Sequence, residues 1–168
     1  MTNSAKEKVK FWEGREDRPT SVLIVGLDTT SRSHVYRSLP RTLRVLRDMK
    51  FEDFRGFHTI QPSTLPNFQA MLMGLTDAQV NGGCQPTWED PYDNCHLIWD
   101  LFNSHNYITM YHEDGAQSFN WYGGGGFARK PVDYYAHPMF LSLLEMRKNK
   151  TFVCGPNLLF FIHPEVLS

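Results

Sequence analysis

Residues 21–28 read Ser21-Val22-Leu23-Ile24-Val25-Gly26-Leu27-Asp28, an apolar run closed by a carboxylate. An apolar run without polar alternation is typical of a strand buried on both faces of a parallel sheet. We therefore predict that residues 22–27 form an interior parallel strand with a neighbour on each side. The hydroxyl cluster Thr29-Thr30-Ser31 is typical of a helix N-terminus. Asp28 thus follows the strand at its carboxyl end, where ligands bind in such sheets.

Helices and strands are predicted to alternate along the rest of the chain. Helices are predicted over 39–49, where Pro40 opens a second helical piece, and directly after the loop 62–67. Two more helices are predicted over 95–102 and over about 134–148. Strands are predicted over 107–111 and, from a loose alternation, within 51–60. Polar, glycine-rich stretches predict an irregular surface segment over 76–93 and a mobile loop over 120–127. This order predicts an α/β fold with a mostly parallel sheet.

Composition bounds the class of protein. The chain has 168 residues, a formal net charge of −1 and 41% hydrophobic residues, which fit one globular domain over residues 21–168 behind a polar lead-in, 1–20. A nucleic-acid partner is not expected, because binding phosphates requires an excess of Lys and Arg. The arginines of residues 32–47 recur every three to five residues, which is typical of a solvated helix face.

Two targeting signals are missing from the sequence. No stretch of about 18 apolar residues predicts a transmembrane segment. The N-terminus lacks the apolar core of a signal peptide, so the chain taken as complete is expected to be cytoplasmic.

The three cysteines are Cys84, Cys95 and Cys154. They are too few for a disulfide framework and lack the spacing of a metal site. Cys84 and Cys95 are close enough in sequence to close a loop between them. Cys154 is then left without a partner.

Asp28 and Thr64 are the candidate site residues, and each has a structural alternative. A carboxylate at the edge of a sheet can bind a divalent cation, but Asp28 can equally cap a helix or hydrogen-bond within a loop. A hydroxyl that opens a helix can act as a nucleophile, but Thr64 can equally be an ordinary N-cap. The residues alone leave both alternatives open.

Taken together, the motifs resemble a known superfamily. Val22 to Asp28, followed by Ser63-Thr64-Leu65-Pro66-Asn67 and then Gly74-Leu75, resembles the alkaline-phosphatase-like superfamily of phosphatases, phosphodiesterases and sulfatases. The Thr-x-Pro-Asn form looks most like the phosphodiesterase branch. The resemblance implies a three-layer sandwich in which Asp28 binds a divalent metal, most often zinc, and Thr64 is the nucleophile. It therefore predicts side-chain oxygens within roughly 6 Å of each other, the span that one metal ion bridges.

A closer resemblance covers roughly residues 20–155. It is to a large animal family known only as a domain of unknown function, whose members are mostly secreted or membrane-anchored. The shared segments are Leu27-Asp28-Thr29-Thr30-Ser31-Arg32, Arg37-Ser38-Leu39-Pro40-Arg41-Thr42-Leu43, Ile98-Trp99-Asp100, Glu113-Asp114, Gly126-Phe127 and Pro131-Val132-Asp133-Tyr134-Tyr135-Ala136-His137-Pro138. This resemblance implies an extracellular location.

The superfamily takes its other metal ligands from the second half of a domain more than twice this length. The chain is therefore expected to be the N-terminal part of such a domain, lacking the C-terminal half and binding no metal on its own. We expect a truncated member of a metal-dependent phosphate- or sulfate-ester hydrolase-like family, without turnover as this chain. Its substrate would be a small molecule, a glycan or another phospho-ester. The alternative is a non-catalytic extracellular binding domain that retains the fold.

Overall fold

A computed structural model describes residues 1–113, 119, 125–139 and 142, and the backbone of residues 160–163. Its longer helices are α1 (Asn3–Trp12), α2 (Arg32–Ser38), α3 (Pro40–Asp48), α4 (Thr64–Met73), α5 (Asp77–Asn81) and α6 (Ile98–Ser104), and Tyr92–Asn94 form a short 3-10 helix. Its strands are β1 (Val22–Ile24), β2 (Ile108–Tyr111), β3 (Tyr134–Tyr135) and β4 (Phe160–His163). The predicted α/β class is confirmed.

The four strands form one sheet in the order β1-β4-β2-β3. β2 and β3 are parallel, as the prediction of a parallel sheet requires, whereas β4 is antiparallel to both of its neighbours. The prediction of an interior parallel strand at 22–27 is wrong, because β1 lies at the end of the described sheet and pairs with β4 alone. Its apolar run is one-sided: Leu23 and Val25 are 57% and 55% exposed, while the alternate residues are half-buried.

Several predicted elements are confirmed with small shifts at their ends. α3 begins at Pro40, whose missing N–H costs nothing in a first helical turn. α4 begins at Thr64 and ends at Met73, and the glycine that follows it, Gly74, adopts a left-handed conformation with φ of 69°. β2 covers four of the five residues predicted as a strand, and α6 begins three residues later than predicted.

Other predictions are corrected. Residues 51–60 form turns and irregular structure, not strands, and every one of them is exposed. Residues 134–135 form β3 instead of opening a helix, residues 137–139 are helical, and 140–141 and 143–148 lie outside the described residues. The segment 76–93 is less irregular than predicted, because Thr76 and Gln79 form a capping box that starts α5. Of the predicted loop 120–127, only 125–127 are described.

Aromatic side chains fill the core between α4, α6 and the sheet. Trp99 stacks on Tyr111 with ring centroids 5.2 Å apart, and Tyr92 meets Phe119 edge-on at 4.9 Å. Such pairs add about 0.5–1.5 kcal/mol to the burial of their area. The buried cluster consists of Leu65, Leu72, Val80, Tyr92, Cys95, Leu97, Trp99, Tyr111, Phe119 and Val132.

Cys84 and Cys95, whose pairing the sequence left open, form a disulfide, while Cys154 lies outside the described residues. The closed loop docks on residues 125–129: the Gly125 N–H donates to the Trp88 carbonyl at 3.0 Å. A Cβ on Gly125 would lie 2.1 Å from the Asp90 carbonyl oxygen, so only glycine permits this backbone approach.

The first helix is tied to the sheet by a buried ion pair. The Lys8 Nζ lies 2.5 Å from an oxygen of Asp133, and the two side chains are 8% and 4% exposed. Asp133 also accepts hydrogen bonds from the Ser4 hydroxyl at 2.6 Å and the Thr109 N–H at 2.9 Å. Burial raises the pKa of Asp133, but hydrogen bonds from Lys8, Ser4 and Thr109 outweigh it and hold the pKa below its usual value. The polar lead-in therefore contains a packed helix.

Within the described residues, no helix is long and apolar enough to cross a membrane.

Candidate active site

The turn after β1 fixes the backbone around Asp28. Thr29 adopts a left-handed conformation with φ of 52°, and its N–H donates to the Asp28 Oδ1 at 2.8 Å. The Thr30 hydroxyl donates to the Asp28 carbonyl at 3.0 Å. Ser31 then caps α2 by accepting from the His34 N–H at 3.2 Å. Asp28 is thus a loop hydrogen bonder and not the cap of the helix that follows it.

Thr64 lies against Asp28. Its hydroxyl donates to the Asp28 Oδ1 at 3.1 Å, although 36 residues separate the two in sequence. The prediction that their side-chain oxygens lie within roughly 6 Å is confirmed. Both residues are half-buried, so the pair is accessible from solvent.

Helix α4 holds the Thr64 hydroxyl in place. Leu65 and Leu72 are buried in the aromatic core, and Gln69 is buried with its amide donating to the Tyr92 hydroxyl at 3.2 Å. Thr64 is the first helical residue, and the N-cap, Ser63, makes no side-chain capping bond. Thr64 is therefore not the N-cap of the structural alternative, and its hydroxyl lies at the positive end of the helix.

The Asn67 side chain organises the loop that leads into α4. Its Nδ2 donates to the Gln61 carbonyl at 2.6 Å and to the Ser63 carbonyl at 2.5 Å. Its Oδ1 accepts from the Ile60 N–H at 2.9 Å. One amide thus satisfies three backbone groups of the segment immediately before Thr64.

Replacing Asn67 by alanine is expected to destabilise the fold by about 1–2 kcal/mol. The substitution removes three hydrogen bonds of about 0.5–1.5 kcal/mol each, and water replaces part of them. Hydrogen exchange of the Ile60 amide should accelerate more than the global unfolding equilibrium accounts for. The matched control is Asn81→Ala, which removes one hydrogen bond of 3.2 Å to Asp77 on a surface helix. Equal effects of the two substitutions would contradict the role of Asn67.

A charged cluster lies just beyond the Asp28 turn. Asp53 accepts from the Arg32 Nε at 2.9 Å and from the Tyr36 hydroxyl at 2.9 Å, and a second guanidinium nitrogen of Arg32 contacts its other oxygen. The hydrogen bonds from Arg32, and then from Tyr36, hold the pKa of Asp53 well below its usual value. The cluster joins α2 to the segment 51–60 and is solvent-exposed.

Comparison with known protein families identifies the family of this chain. The family model described as "Protein of unknown function (DUF229)" matches residues 2–155. The chain belongs to the DUF229 family. No curated protein and no solved structure matches it. The matched span includes α1 and almost all of the first 20 residues, as well as both Asp28 and Thr64.

The described residues of this DUF229 chain do not supply a full ligand set for a catalytic metal ion. Asp28 and Thr64 offer a carboxylate and a hydroxyl, whereas a catalytic divalent ion is usually held by three or more protein ligands. Within the described ranges, no group of three or more His, Cys, Asp or Glu side chains could hold a metal ion. The pair therefore does not by itself fit the zinc that the superfamily resemblance implies.

Two features of this DUF229 chain had no role assigned from sequence. Asn67 stands in the quoted Thr-x-Pro-Asn motif. Its position three residues after the start of a helix is the only feature of the local sequence that hints at its hydrogen bonds. Asp133 likewise stands in a quoted motif, but its partner Lys8 is 125 residues away. No sequence pattern identifies such a pair.

Proposed function

We propose that this chain carries the hydroxyl–carboxylate part of a phosphate- or sulfate-ester hydrolase-like site in an extracellular protein of the alkaline-phosphatase-like superfamily. The observation that carries the proposal is the 3.1 Å hydrogen bond from Thr64, at the start of a core-packed helix, to Asp28, in the turn that follows β1. In the proposed roles, Thr64 is the nucleophile and Asp28 one metal ligand. A small-molecule or glycan ester is the proposed substrate class.

The extracellular location is supported by the Cys84–Cys95 disulfide. Disulfides form and persist mainly in oxidising compartments, such as the secretory pathway and the extracellular space. The cysteine pair therefore favours a secreted protein over a cytoplasmic one.

We further propose that the 168-residue chain has no turnover of its own. Zinc, once held by a complete ligand set, would supply a Lewis acid, but one carboxylate and one hydroxyl do not hold it. Without an ion, the threonine hydroxyl stays protonated near neutral pH and is a weak nucleophile. The purified chain with added zinc, magnesium or manganese is therefore expected to leave p-nitrophenyl phosphate, bis-p-nitrophenyl phosphate and p-nitrophenyl sulfate unchanged.

The control for this assay is Thr64→Ala, with Thr76→Ala as a matched threonine at the start of another helix. Turnover that disappears in Thr64→Ala and persists in Thr76→Ala would contradict the prediction of inactivity. In a longer chain that brings further Asp and His ligands to the pair, turnover should appear and depend on Thr64. No turnover even with that full ligand set would contradict the hydrolase proposal.

The alternative is a non-catalytic extracellular binding domain that retains the fold. It is favoured by the incomplete ligand set around Asp28 within the described residues. Calorimetric titration distinguishes the two in the longer chain. Zinc binding that is lost in Asp28→Asn supports the hydrolase proposal, and binding that is indifferent to this substitution supports the alternative.

A further inference from the structure

One region of the surface combines exposed aromatic rings with an excess of positive charge. Residues 32–58 contain seven Lys and Arg against three Asp and Glu, a net charge of +4. The remaining residues contain ten against fifteen, a net charge of −5. All seven basic side chains of this region are exposed. The charge of the chain is thus strongly asymmetric although its total is close to zero.

At the edge of this region, two phenylalanines project from a turn. The Phe57 N–H donates to the Phe54 carbonyl at 3.1 Å, which closes a β-turn with Arg55 and Gly56 in its centre. Phe54 and Phe57 are 78% and 79% exposed. A Cβ built on Gly56 would meet no atom within 4 Å, so the turn stands clear of the rest of the described protein.

The turn is attached to both basic helices. Arg32 at the start of α2 binds Asp53, which directly precedes the turn. The Phe51 N–H donates to the Leu46 carbonyl in α3 at 2.9 Å. The other exposed cations of this region lie on these two helices, just after α3 and in the turn itself: Arg37, Arg41, Arg44, Arg47, Lys50 and Arg55. We call these residues, with Phe54 and Phe57, the basic-aromatic face.

We propose that the basic-aromatic face docks on an anionic lipid surface. A peptide or a folded partner recognises projecting rings through a matching pocket, whereas a bilayer interface accepts aromatic rings at any lateral position. The exposed cations of the basic-aromatic face are attracted by anionic headgroups, and each contributes to binding. The positive charge alone would also bind a sulfated polysaccharide, but binding to that partner would not use the two projecting phenylalanines.

Sedimentation with lipid vesicles tests this proposal. The chain is expected to bind phosphatidylcholine–phosphatidylserine vesicles and not phosphatidylcholine vesicles, and 1 M salt should weaken binding because it shortens the screening length to about 3 Å. Phe54→Ser together with Phe57→Ser should weaken binding about tenfold for each ring removed. Arg41→Gln together with Arg44→Gln should weaken it about 30-fold.

Matched controls lie outside the basic-aromatic face. Leu101→Ser replaces an apolar side chain that is 62% exposed on α6, and Lys6→Gln with Lys10→Gln removes two exposed charges from α1. Both controls should bind vesicles like the unsubstituted chain, and circular dichroism checks that every variant is folded.

Three results would overturn the proposal. The first is no binding to the anionic vesicles, and the second is binding that the Phe54 and Phe57 substitutions leave unchanged. The third is concentration-dependent self-association that these substitutions abolish without any vesicle binding, which would assign the face to a second copy of the chain. The assay does not involve Thr64 or Asp28, so its outcome is independent of the proposed hydrolase-like site.

Discussion

Replacing Lys8 by methionine is expected to destabilise the fold by about 3–5 kcal/mol, because it leaves the Asp133 carboxylate buried without its counter-charge. Asp133 is 4% exposed and cannot recover its hydration without breaking its contacts with Ser4 and Thr109. Urea unfolding measures the change in the free energy of unfolding. The matched control is Lys6→Met on the same helix, where the side chain is exposed and the change should stay within about 0.5 kcal/mol.

A second substitution separates the charge from the packing. Adding Asp133→Asn to Lys8→Met removes the unpaired charge but keeps an oxygen that can accept from the Thr109 N–H. The double variant is therefore expected to be more stable than Lys8→Met alone. A double variant that is less stable than the single one would contradict the proposed cause.

The same ion pair predicts a pH dependence. The folded pKa of Asp133 is lowered, so its stabilisation is fully present above the unfolded pKa of about 3.9 and is lost as the pH falls through the folded pKa. In Lys8→Met, burial still raises the pKa of Asp133, and the lysine is no longer there to lower it. The difference in stability between the unsubstituted chain and Lys8→Met should therefore shrink below about pH 4, as measured by urea unfolding across the acid range. A difference that stays constant down to pH 2 would contradict it.

Replacing Trp99 by alanine is expected to cost about 3–5 kcal/mol and to remove cooperative unfolding near body temperature. Trp99 is 2% exposed and its ring lies 5.2 Å from Tyr111 and 5.9 Å from Phe127. No neighbouring side chain can fill the space left by Trp99 without giving up its own packing in the core. Thermal unfolding followed by near-ultraviolet circular dichroism measures the loss.

The control for Trp99 is Trp88→Ala, because Trp88 is 40% exposed. Its backbone carbonyl accepts the hydrogen bond from the Gly125 N–H, and the substitution leaves that bond in place. Its loss should cost less than about 1 kcal/mol. Similar effects of the two tryptophans would mean that the aromatic core is not the main source of stability.

The candidate site was predictable to the extent that its parts are local. The loop after an apolar strand, which holds Asp28, and the start of a helix at Thr64 each have a sequence signature, and the superfamily resemblance linked the two residues across 36 positions. The contact between them is confirmed. Their roles as metal ligand and nucleophile stay predictions.

The errors in the fold have a common physical origin. An apolar strand looks the same in sequence whether its neighbours are parallel or antiparallel. Residues 22–27 therefore did not indicate that β1 would pair antiparallel with β4 and lie at the end of the described sheet. Residues 51–60 alternate loosely like a strand, but they pair with none of the described strands and form turns that expose their phenylalanines. Pairing is decided by distant partners, not by the alternation itself.

The sequence by itself determined the α/β class and the helices that begin at Pro40 and Thr64, because helix starts depend on neighbouring residues. Only the tertiary structure decided that the polar first helix is anchored by Lys8 to Asp133, and that β4 separates β1 from β2. The ion pair of Lys8 with Asp133 and the pairing of β1 with β4 each join residues more than a hundred positions apart, and their free energy comes from burial that no local stretch contains.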